Sequence, residues 1–312
     1  MDITFVKIQE LLQDRAEAKA RLSLIPYEGS IDIKERDGKR YIYLRKRVLG
    51  KNTSTYIDVY SDALFAAISS LLQEAKQLTK RIRGIDKELA VLGYSARELS
   101  PRVLLNIDFA RANMKANIYD QAILEGIATT FPDTETIIDN GKVSGMRASD
   151  VQKILNLKHA WEFIMNEDVA ASATSYSVLC HIAGLVNEGF YTYGGRIRGV
   201  PVAIGGTSYI PPLPIEVDVK ERIGEILAMD APAVDIAVAL CLYCMKAQIF
   251  NDGNKRSAVL FANHYLISNG GGLLVIPESR VPEFKQLLIA YYEDRDTGRI
   301  TEFMKNTCYR DF

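Results

Sequence analysis

The stretch "AQIFNDGNKRSA", Ala247 to Ala258, decides how the larger part of this chain folds. It joins two apolar segments of helical length, Asp235 to Ala247 before it and "SAVLFANHYLISNG" after it. Gly253 lets the backbone approach a ligand closely, and the amides that open the second helix carry partial positive charge. We therefore predict a helix, a tight turn and a second helix, with a phosphate-binding position at the turn.

Several side chains of this turn suit a nucleotide phosphate. Lys255 and Arg256 add positive charge, and Asp252 supplies an oxygen ligand for Mg²⁺. Asn254 can donate a hydrogen bond to a phosphate oxygen. However, Asp-Gly-Asn also forms ordinary turns, and the two bases could simply be solvated. On composition alone, phosphate binding and a plain turn are both open.

Length and composition indicate a protein with a sizeable core. The chain has 312 residues, 48% apolar and 25% charged, with a formal net charge of -1. One large domain with an appendage is expected, and attraction to nucleic acid or to a membrane would need a local patch. The sequence shows neither a signal peptide nor an apolar run that could span a bilayer. Its four cysteines are too sparse for a disulfide scaffold, so we expect a cytoplasmic protein with no membrane partner.

Cysteine and histidine, the usual metal ligands and proton carriers, do not form an evident site. Cys241 and Cys244 make a C-x-x-C pair inside the apolar helix with no second ligand pair nearby, which favours buried thiols over zinc. His159, His181 and His264 lie on predicted helices away from the turn. We assign the three histidines structural roles.

The first 95 residues predict a separate arm. From Leu64 to Leu92 apolar residues recur alternately four and three positions apart, a heptad seam of the coiled-coil type, and Ile8 to Leu22 keep the same alternation. An antiparallel helical hairpin within one chain would bury both stripes, with Pro26 ending the first helix. The seam could instead pair two chains as a homodimer.

The segment between these helices predicts three short antiparallel strands, a small β-sheet at the tip of the arm. Asp37-Gly38 is a type I′ hairpin signal. Residues 34–51 carry eight bases against two acids, a local net charge of +6. This patch, interleaved with tyrosines, suits nucleic acid or an acidic protein, and a solvated face whose bases protect the sheet edges is an equal alternative. The bases are Lys34, Arg36, Lys39, Arg40, Arg45, Lys46, Arg47 and Lys51, and the acids are Glu35 and Asp37.

Residues 96–312 predict a mainly α domain. Helical patterns dominate this part, and strand signals nearly vanish from it. The exception is "GRIRGVPVAIGGTSYIPP", Gly195 to Pro212, which has paired glycines, short β-type runs and a Pro-Pro stop. We expect a surface loop or a small β-hairpin there.

The turn itself, Phe250 to Arg256, resembles the signature loop of the Fic/Doc (Fido) family, H-x-F-x-D/E-G-N-G/K-R. Gly195 to Pro212 resembles the segment with the target-binding flap, and "ILEGI", Ile123 to Ile127, resembles the inhibitory helix. The resemblance extends from about residue 100 to residue 312 and implies a Fic-fold helical bundle with a small β-hairpin flap. The flap residues would be Gly205, Gly206 and Thr207, and the inhibitory residues Glu125 and Gly126.

Members of this family mostly transfer AMP from ATP to a hydroxyl of a target protein, with Mg²⁺ on the phosphates. The resemblance implies that Asp252 holds the metal and that Phe250 anchors the loop in the core. The nucleotide-binding residues would be Asp252, Gly253, Asn254, Lys255 and Arg256.

Two positions depart from the family pattern. Gln248 stands where the family has the histidine that serves as base, and an amide has no usable basicity near neutral pH. Val259 replaces the second arginine of AMP-transferring members. Doc-type members also lack that arginine, carry a lysine at the position of Lys255, and move the γ-phosphoryl group. Glu125 lacks its usual arginine partner and Gln121 occupies the hydroxyl position of the inhibitory motif, so a structural role for Glu125 is an alternative to autoinhibition.

Three functions therefore stay open. The first is a Mg-ATP-dependent transferase of AMP to a protein hydroxyl, weakened because Gln248 replaces the base. The second is a catalytically inactive Fic-fold binding module, and the third is a Doc-like phosphotransferase. The surviving Asp252, Gly253, Asn254 and Arg256 favour nucleotide binding in each case, and the sequence does not identify the target protein.

Overall fold

A computed structural model describes residues 3–48, 51–92, 94, 99–140 and 145–312. The chain divides into two compact units, Met1–Ala96 and Arg97–Phe312. Helices dominate the described residues, and the strands form two small antiparallel sheets. The predicted mainly α fold class is thereby confirmed.

The first unit is a helical hairpin that carries a three-stranded sheet. The strands run antiparallel in the order β1-β2-β3, as alternating polar and apolar residues predict. Asp37 and Gly38 both have positive φ, 49° and 70°, which a type I′ turn requires. The elements are α1 Ile3–Ser23, β1 Ser30–Arg36, β2 Lys39–Val48, β3 Lys51–Val59 and α2 Asp62–Val91.

Two apolar clusters hold this unit together. Near the free ends of the helices, Leu11 and Leu12 of α1 pack against Ile85 and Leu89 of α2. The other end of α2 supports the sheet, where an apolar group covers one face. That group is Ile42, Leu44, Ile68 and Leu72. Ion pairs join the two helices along their length, for example Arg15 to Asp86 at 2.7 Å and Arg21 to Glu74 at 2.8 Å.

The second unit is a bundle of helices around α10, Asn254–Ser268. Most residues of α10 are buried, including polar ones such as Asn263 and His264, so neighbouring helices enclose it on most sides. It packs against α3, α5, α7 and α9. The helices are α3 Pro101–Leu124, α4 Phe131–Asn140, α5 Ala148–Ile164, α6 Glu167–Ala170, α7 Tyr176–Val186, α8 Glu216–Leu227, α9 Ala233–Ala247, α10 Asn254–Ser268, α11 Val281–Tyr292 and α12 Gly298–Phe303. A two-stranded sheet, β4 Leu273–Leu274 with β5 Tyr309–Arg310, closes the unit.

The thiols of α9 are buried. Cys241 and Cys244 are both enclosed, and burial raises the pKa of each thiol above its usual range. Within the described residues no group of three or more histidine, cysteine, aspartate or glutamate side chains could hold a metal ion. No described helix combines the length and the hydropathy needed to cross a membrane.

The segment predicted as a flap forms a loop. Gly195 to Pro212 contains no strand, so the expectation of a small β-hairpin there is wrong, and the alternative of a surface loop describes it. Pro201, Pro211 and Pro212 have no amide hydrogen to donate to a strand partner. In addition, the buried guanidinium of Arg198 binds carbonyl groups that a hairpin would use.

The three histidines occupy packed positions. His181 stacks on Phe163 with ring centroids 4.9 Å apart, and Nδ1 of His159 lies 3.3 Å from Glu188. His264 is fully buried, with Nδ1 2.9 Å from the Thr174 hydroxyl and Nε2 3.0 Å from the Val169 carbonyl oxygen. Because the Val169 oxygen can only accept, Nε2 carries the proton and Nδ1 accepts from Thr174.

We expect His264 to make the second unit less stable in mild acid. Burial lowers the pKa of His264 to about 4, below the value of about 6.5 in an unfolded chain. Between these pH values only the unfolded state takes up the proton, so the free energy of unfolding falls by about 3 kcal/mol from pH 6.5 to pH 4. Urea unfolding across this range should show a shallower pH dependence in His264→Gln than in the natural chain. An identical pH dependence of the free energy of unfolding in the two proteins would contradict this role of His264.

Candidate active site

The turn between α9 and α10 has two residues in the left-handed region. α9 ends at Ala247, and its cap Gln248 has φ 46° and ψ 59°. Gly253, the cap that precedes α10, has φ 73°. Ile249 and Phe250 are buried and anchor the turn in the core. A positive φ at a residue with a bulky side chain costs free energy and is concentrated at functional sites.

Asn254 braces the turn. Its Oδ1 accepts from the Phe250 amide at 2.9 Å, and its Nδ2 donates to the Phe250 carbonyl at 2.7 Å and to Oε1 of Gln248 at 3.1 Å. Nε2 of Gln248 in turn donates to the Met245 carbonyl at 2.7 Å. Both amide hydrogens of Asn254 are thus used inside the protein. An anion at the start of α10 would therefore be bound by the backbone amides of the helix and not by the Asn254 side chain.

Asp252 and Gly253 lie beside α7. Asp252 Oδ1 accepts from the Gly253 amide at 2.7 Å, and its side chain is 41% exposed, so carboxylate oxygen remains accessible to a cation. Asn187, the cap of α7, donates to the Asp252 carbonyl at 3.0 Å and to the Gly194 carbonyl at 3.2 Å. A Cβ at Gly253 would lie 2.8 Å from Oδ1 of Asn187, so only glycine fits. Sequence reasoning missed Asn187, whose only signal is an asparagine at a helix end.

Arg256 lies beneath the turn and does not line the pocket. Its side chain is 1% exposed, and its guanidinium donates to the Val186 carbonyl at 3.1 Å. It also lies 3.4 Å from Oδ2 of Asp252 and 3.7 Å from Oε2 of Glu125. The last distance is too long for a hydrogen bond, and neither Nε of Arg256 nor Oε2 of Glu125 has another partner within the described residues. Glu125 therefore faces Arg256, the one arginine of the turn.

The end of α3 also positions Arg256. Gln121 donates to the Arg256 carbonyl at 2.9 Å and accepts from the Trp161 indole at 3.1 Å. Gly126 follows the cap Glu125 with φ 83°, the left-handed conformation with which glycine commonly ends a helix. The residues predicted as inhibitory thus adjoin the turn, and Val259 is buried in α10.

A pocket of about 440 Å³ opens above the turn. Asp252, Gly253 and Lys255 line it from the turn, the loop contributes residues 202–205, and α11 contributes Lys285. Gly253 has no side chain to cap α10, so the first amides of this helix are available to a ligand. The pocket combines a helix N-terminus, two ammonium groups and two carboxylates, the exposed Asp252 and the more enclosed Glu125. Nothing in the sequence pattern predicts that Lys285 lines this pocket.

Two anchors hold the loop over the pocket. Arg198 is buried and donates to four carbonyl groups, at distances of 2.5 to 3.3 Å. The acceptors are Gln248, Val200, Pro211 and Pro212. Near Gly205 and Gly206, Thr207 donates its hydroxyl to Glu293 at 2.7 Å and the Ser208 amide donates to the same oxygen at 3.2 Å. These two hydrogen bonds lower the pKa of Glu293.

Comparison with known protein families finds a partial match in each unit. Residues 173–266 match the Fic/DOC family, which confirms the resemblance read from the turn. Residues 6–66 match a domain of unknown function, DUF6788. A comparison with curated proteins finds no match.

Solved structures support the fold of the second unit. A Fic domain containing signaling protein from Bacteroides thetaiotaomicron VPI-5482 is similar with a TM-score of 0.53 and 18% identity, over 70% of this chain and 89% of that one. Fic-1 from C. elegans gives a TM-score of 0.52 and 17% identity, over 76% and 72%. A Fic family protein from Desulfovibrio desulfuricans G20 gives 0.50 and 16%, over 68% and 73%. At these identities the likeness concerns the fold.

Proposed function

We propose, from the Fic/DOC domain that this chain carries, that the pocket above the α9–α10 turn binds Mg-ATP or a related Mg-nucleotide. The observation that supports this most is the uncapped N-terminus of α10, which opens into the pocket between Lys255, Lys285 and Asp252. A polyphosphate satisfies such amides and their partial positive charge. The two ammonium groups then offset the remaining negative charge.

The residues present fit a magnesium nucleotide. Mg²⁺ takes one or two protein carboxylates and completes its shell with phosphate oxygens and water, and Asp252 supplies one such carboxylate. Asn187 and Val186 leave no room for a Cβ at position 253, so the turn requires glycine where it meets α10. When bound, the metal would neutralise charge on the phosphates. The chain's own contribution is to hold the phosphates at the turn and to place the loop residues 202–205 above them.

Gln248 limits what this site can do with a bound nucleotide. Its amide group is held by Met245 and Asn254 and cannot accept a proton near neutral pH. We therefore propose AMP transfer to a protein hydroxyl at a rate lowered by about 10²- to 10⁴-fold relative to a site with a general base. Transfer of the γ-phosphoryl group is the alternative that Lys255 and Val259 favour, since Doc-type members share those features.

A second candidate function is a Fic-fold binding module without chemistry. The hydrogen bonds of Gln248 favour it, because the side chain ties the end of α9 to the start of α10 as a structural residue would. Both this module and the transferase would bind a nucleotide. They differ in whether an AMP or phosphoryl group is then transferred to a protein.

We expect Mg-ATP to bind the 312-residue chain in calorimetry, and Asp252→Asn to weaken the magnesium-dependent part of this binding by about tenfold or more. The amide keeps an oxygen for the Gly253 N–H but loses the negative charge that the metal requires. Asp230→Asn is the matched control, because Asp230 is exposed and does not line the pocket. A folded protein that gives no heat with any Mg-nucleotide would overturn the proposed function.

A further inference from the structure

The three-stranded sheet of the first unit has one face that the helices do not cover. Ile42 and Leu44 of β2 point into the cluster with α2, so the residues between them point away from it. Strand pairing puts Lys34 of β1 and Tyr56 of β3 on the same side. We call this side the outer face, defined by Lys34, Tyr41, Tyr43, Arg45, Ser54 and Tyr56.

Three tyrosines form a connected group on the outer face. The ring of Tyr56 lies 6.2 Å from that of Tyr41 and 5.5 Å from that of Tyr43, the latter edge to face at 67°. Tyr56 is 50% exposed, and the other two are half-buried. Because the core of the unit lies on the opposite side of the sheet, packing does not require aromatic rings here. The outer face presents aromatic surface to solvent.

Basic side chains surround these rings. Nζ of Lys34 lies 4.3 Å from the ring centre of Tyr43 and donates to Ser54 at 3.0 Å, and Arg45 is exposed on the adjacent strand. Arg36 and Lys39, paired at the end of the hairpin, extend the same side. Two acidic residues also lie near the rings, Asp32 of β1 opposite Tyr43 and Asp58 of β3 close to Tyr56. The whole chain has a net charge of -1, so this positive charge is local to the outer face.

We propose that the outer face binds single-stranded nucleic acid. Its nucleobases would stack on the tyrosine rings, and its phosphates would pair with the surrounding lysine and arginine side chains. Aromatic rings on a sheet, flanked by cations, provide both contacts that such binding uses. Three strands about 4.8 Å apart give a face about 10 Å across, comparable to sheets that hold about two or three bases. This surface belongs to the first unit and does not depend on the nucleotide pocket.

Two other partners fit the outer face less well. An acidic protein surface would pair with the lysine and arginine side chains but would leave the tyrosine rings without a matching aromatic or flat group. A nucleic-acid duplex keeps its base faces stacked inside, so the rings could not reach them. A single strand uses the charge and the exposed aromatic surface together.

Fluorescence anisotropy of the 312-residue chain tests the proposal. The probes are fluorescein-labelled oligouridylate and oligothymidylate of 12 nucleotides, titrated between 50 and 200 mM NaCl. We expect Tyr56→Leu to weaken binding by about tenfold, the effect of losing one stacked base, while Tyr56→Phe retains it. Arg45→Gln should lower the slope of log affinity against log salt by about 0.7. The two probes together establish whether RNA or DNA is preferred.

Matched substitutions outside the outer face serve as controls. Tyr193→Leu and Arg299→Gln change an exposed tyrosine and an exposed arginine of the second unit, and should leave both the affinity and the salt slope unchanged. Circular dichroism shows that each variant is folded. No binding at 50 mM NaCl, equal binding by a hairpin duplex, equal competition by polyglutamate, or an unchanged affinity in Tyr56→Leu would each overturn the proposal.

Discussion

Replacing Gln248 with histidine is expected to raise the rate of label transfer from ATP to protein by about 10²-fold or more. An imidazole at this position can accept the proton of an attacking hydroxyl, which the amide cannot. Histidine also tolerates the left-handed backbone of the cap better than most residues.

The assay uses ATP labelled separately at the α- and γ-phosphates, with the protein itself and a cell extract as acceptors. Label from the α-phosphate identifies AMP transfer, and label from the γ-phosphate identifies phosphoryl transfer. Gln248→Asn controls for loss of the glutamine, since it introduces no base. Adding Asp252→Asn to Gln248→His should remove the gain. If Gln248→His binds Mg-ATP but transfers neither label, the missing base is not what limits this protein, and the binding module is the better description.

Arg198→Met is expected to destabilise the second unit by about 3–5 kcal/mol. The substitution keeps an unbranched apolar stem but leaves four carbonyl groups without their donor. An unsatisfied buried carbonyl costs about 1–3 kcal/mol, and the surface position of the loop lets water recover part of this. Because one acceptor is the carbonyl of Gln248, nucleotide binding should weaken as well.

The measurement uses the only tryptophan of the chain. Trp161 is buried in α5, so its fluorescence during urea unfolding reports on the second unit alone. Arg196→Met is the matched control, since Arg196 is exposed and lies over the ring of Tyr193 at 3.9 Å. Its loss should cost less than about 1 kcal/mol. Equal stabilities of the two variants would show that the buried guanidinium does not organise the loop.

Local sequence signals predict much of this fold. Asp37-Gly38 specifies its turn because both residues accept positive φ, and Pro26 follows the end of α1. The apolar repeat from Leu64 to Leu92 indicates which side of α2 is covered. The helix, turn and helix around Gly253 follow from length, apolar content and one glycine. In each case neighbours in sequence determine the structure.

The rest of the site depends on contacts between distant segments. The acceptors of Arg198 come from both ends of the loop and from the turn 50 residues later. Glu293 reaches Thr207 from a helix 86 residues away, and Lys285 enters the pocket from that same helix. The β-hairpin expected in the loop fails for the same reason, since β-type residues there meet a guanidinium instead of a partner strand. The residue pattern within the loop carries no signal of its contacts with Arg198.

The placement of Arg256 bears on how the pocket would attract the proposed nucleotide. Its guanidinium lies 3.4 Å from Asp252 and 3.7 Å from Glu125, so these three groups together offer no net positive charge to an anion. Attraction then comes from the rim, where Lys255 and Lys285 carry their charge on long, flexible stems. Such a rim adjusts to phosphate chains of different lengths. If the pocket binds the proposed nucleotide, we expect its affinity to depend little on the number of phosphates and to fall as ionic strength rises.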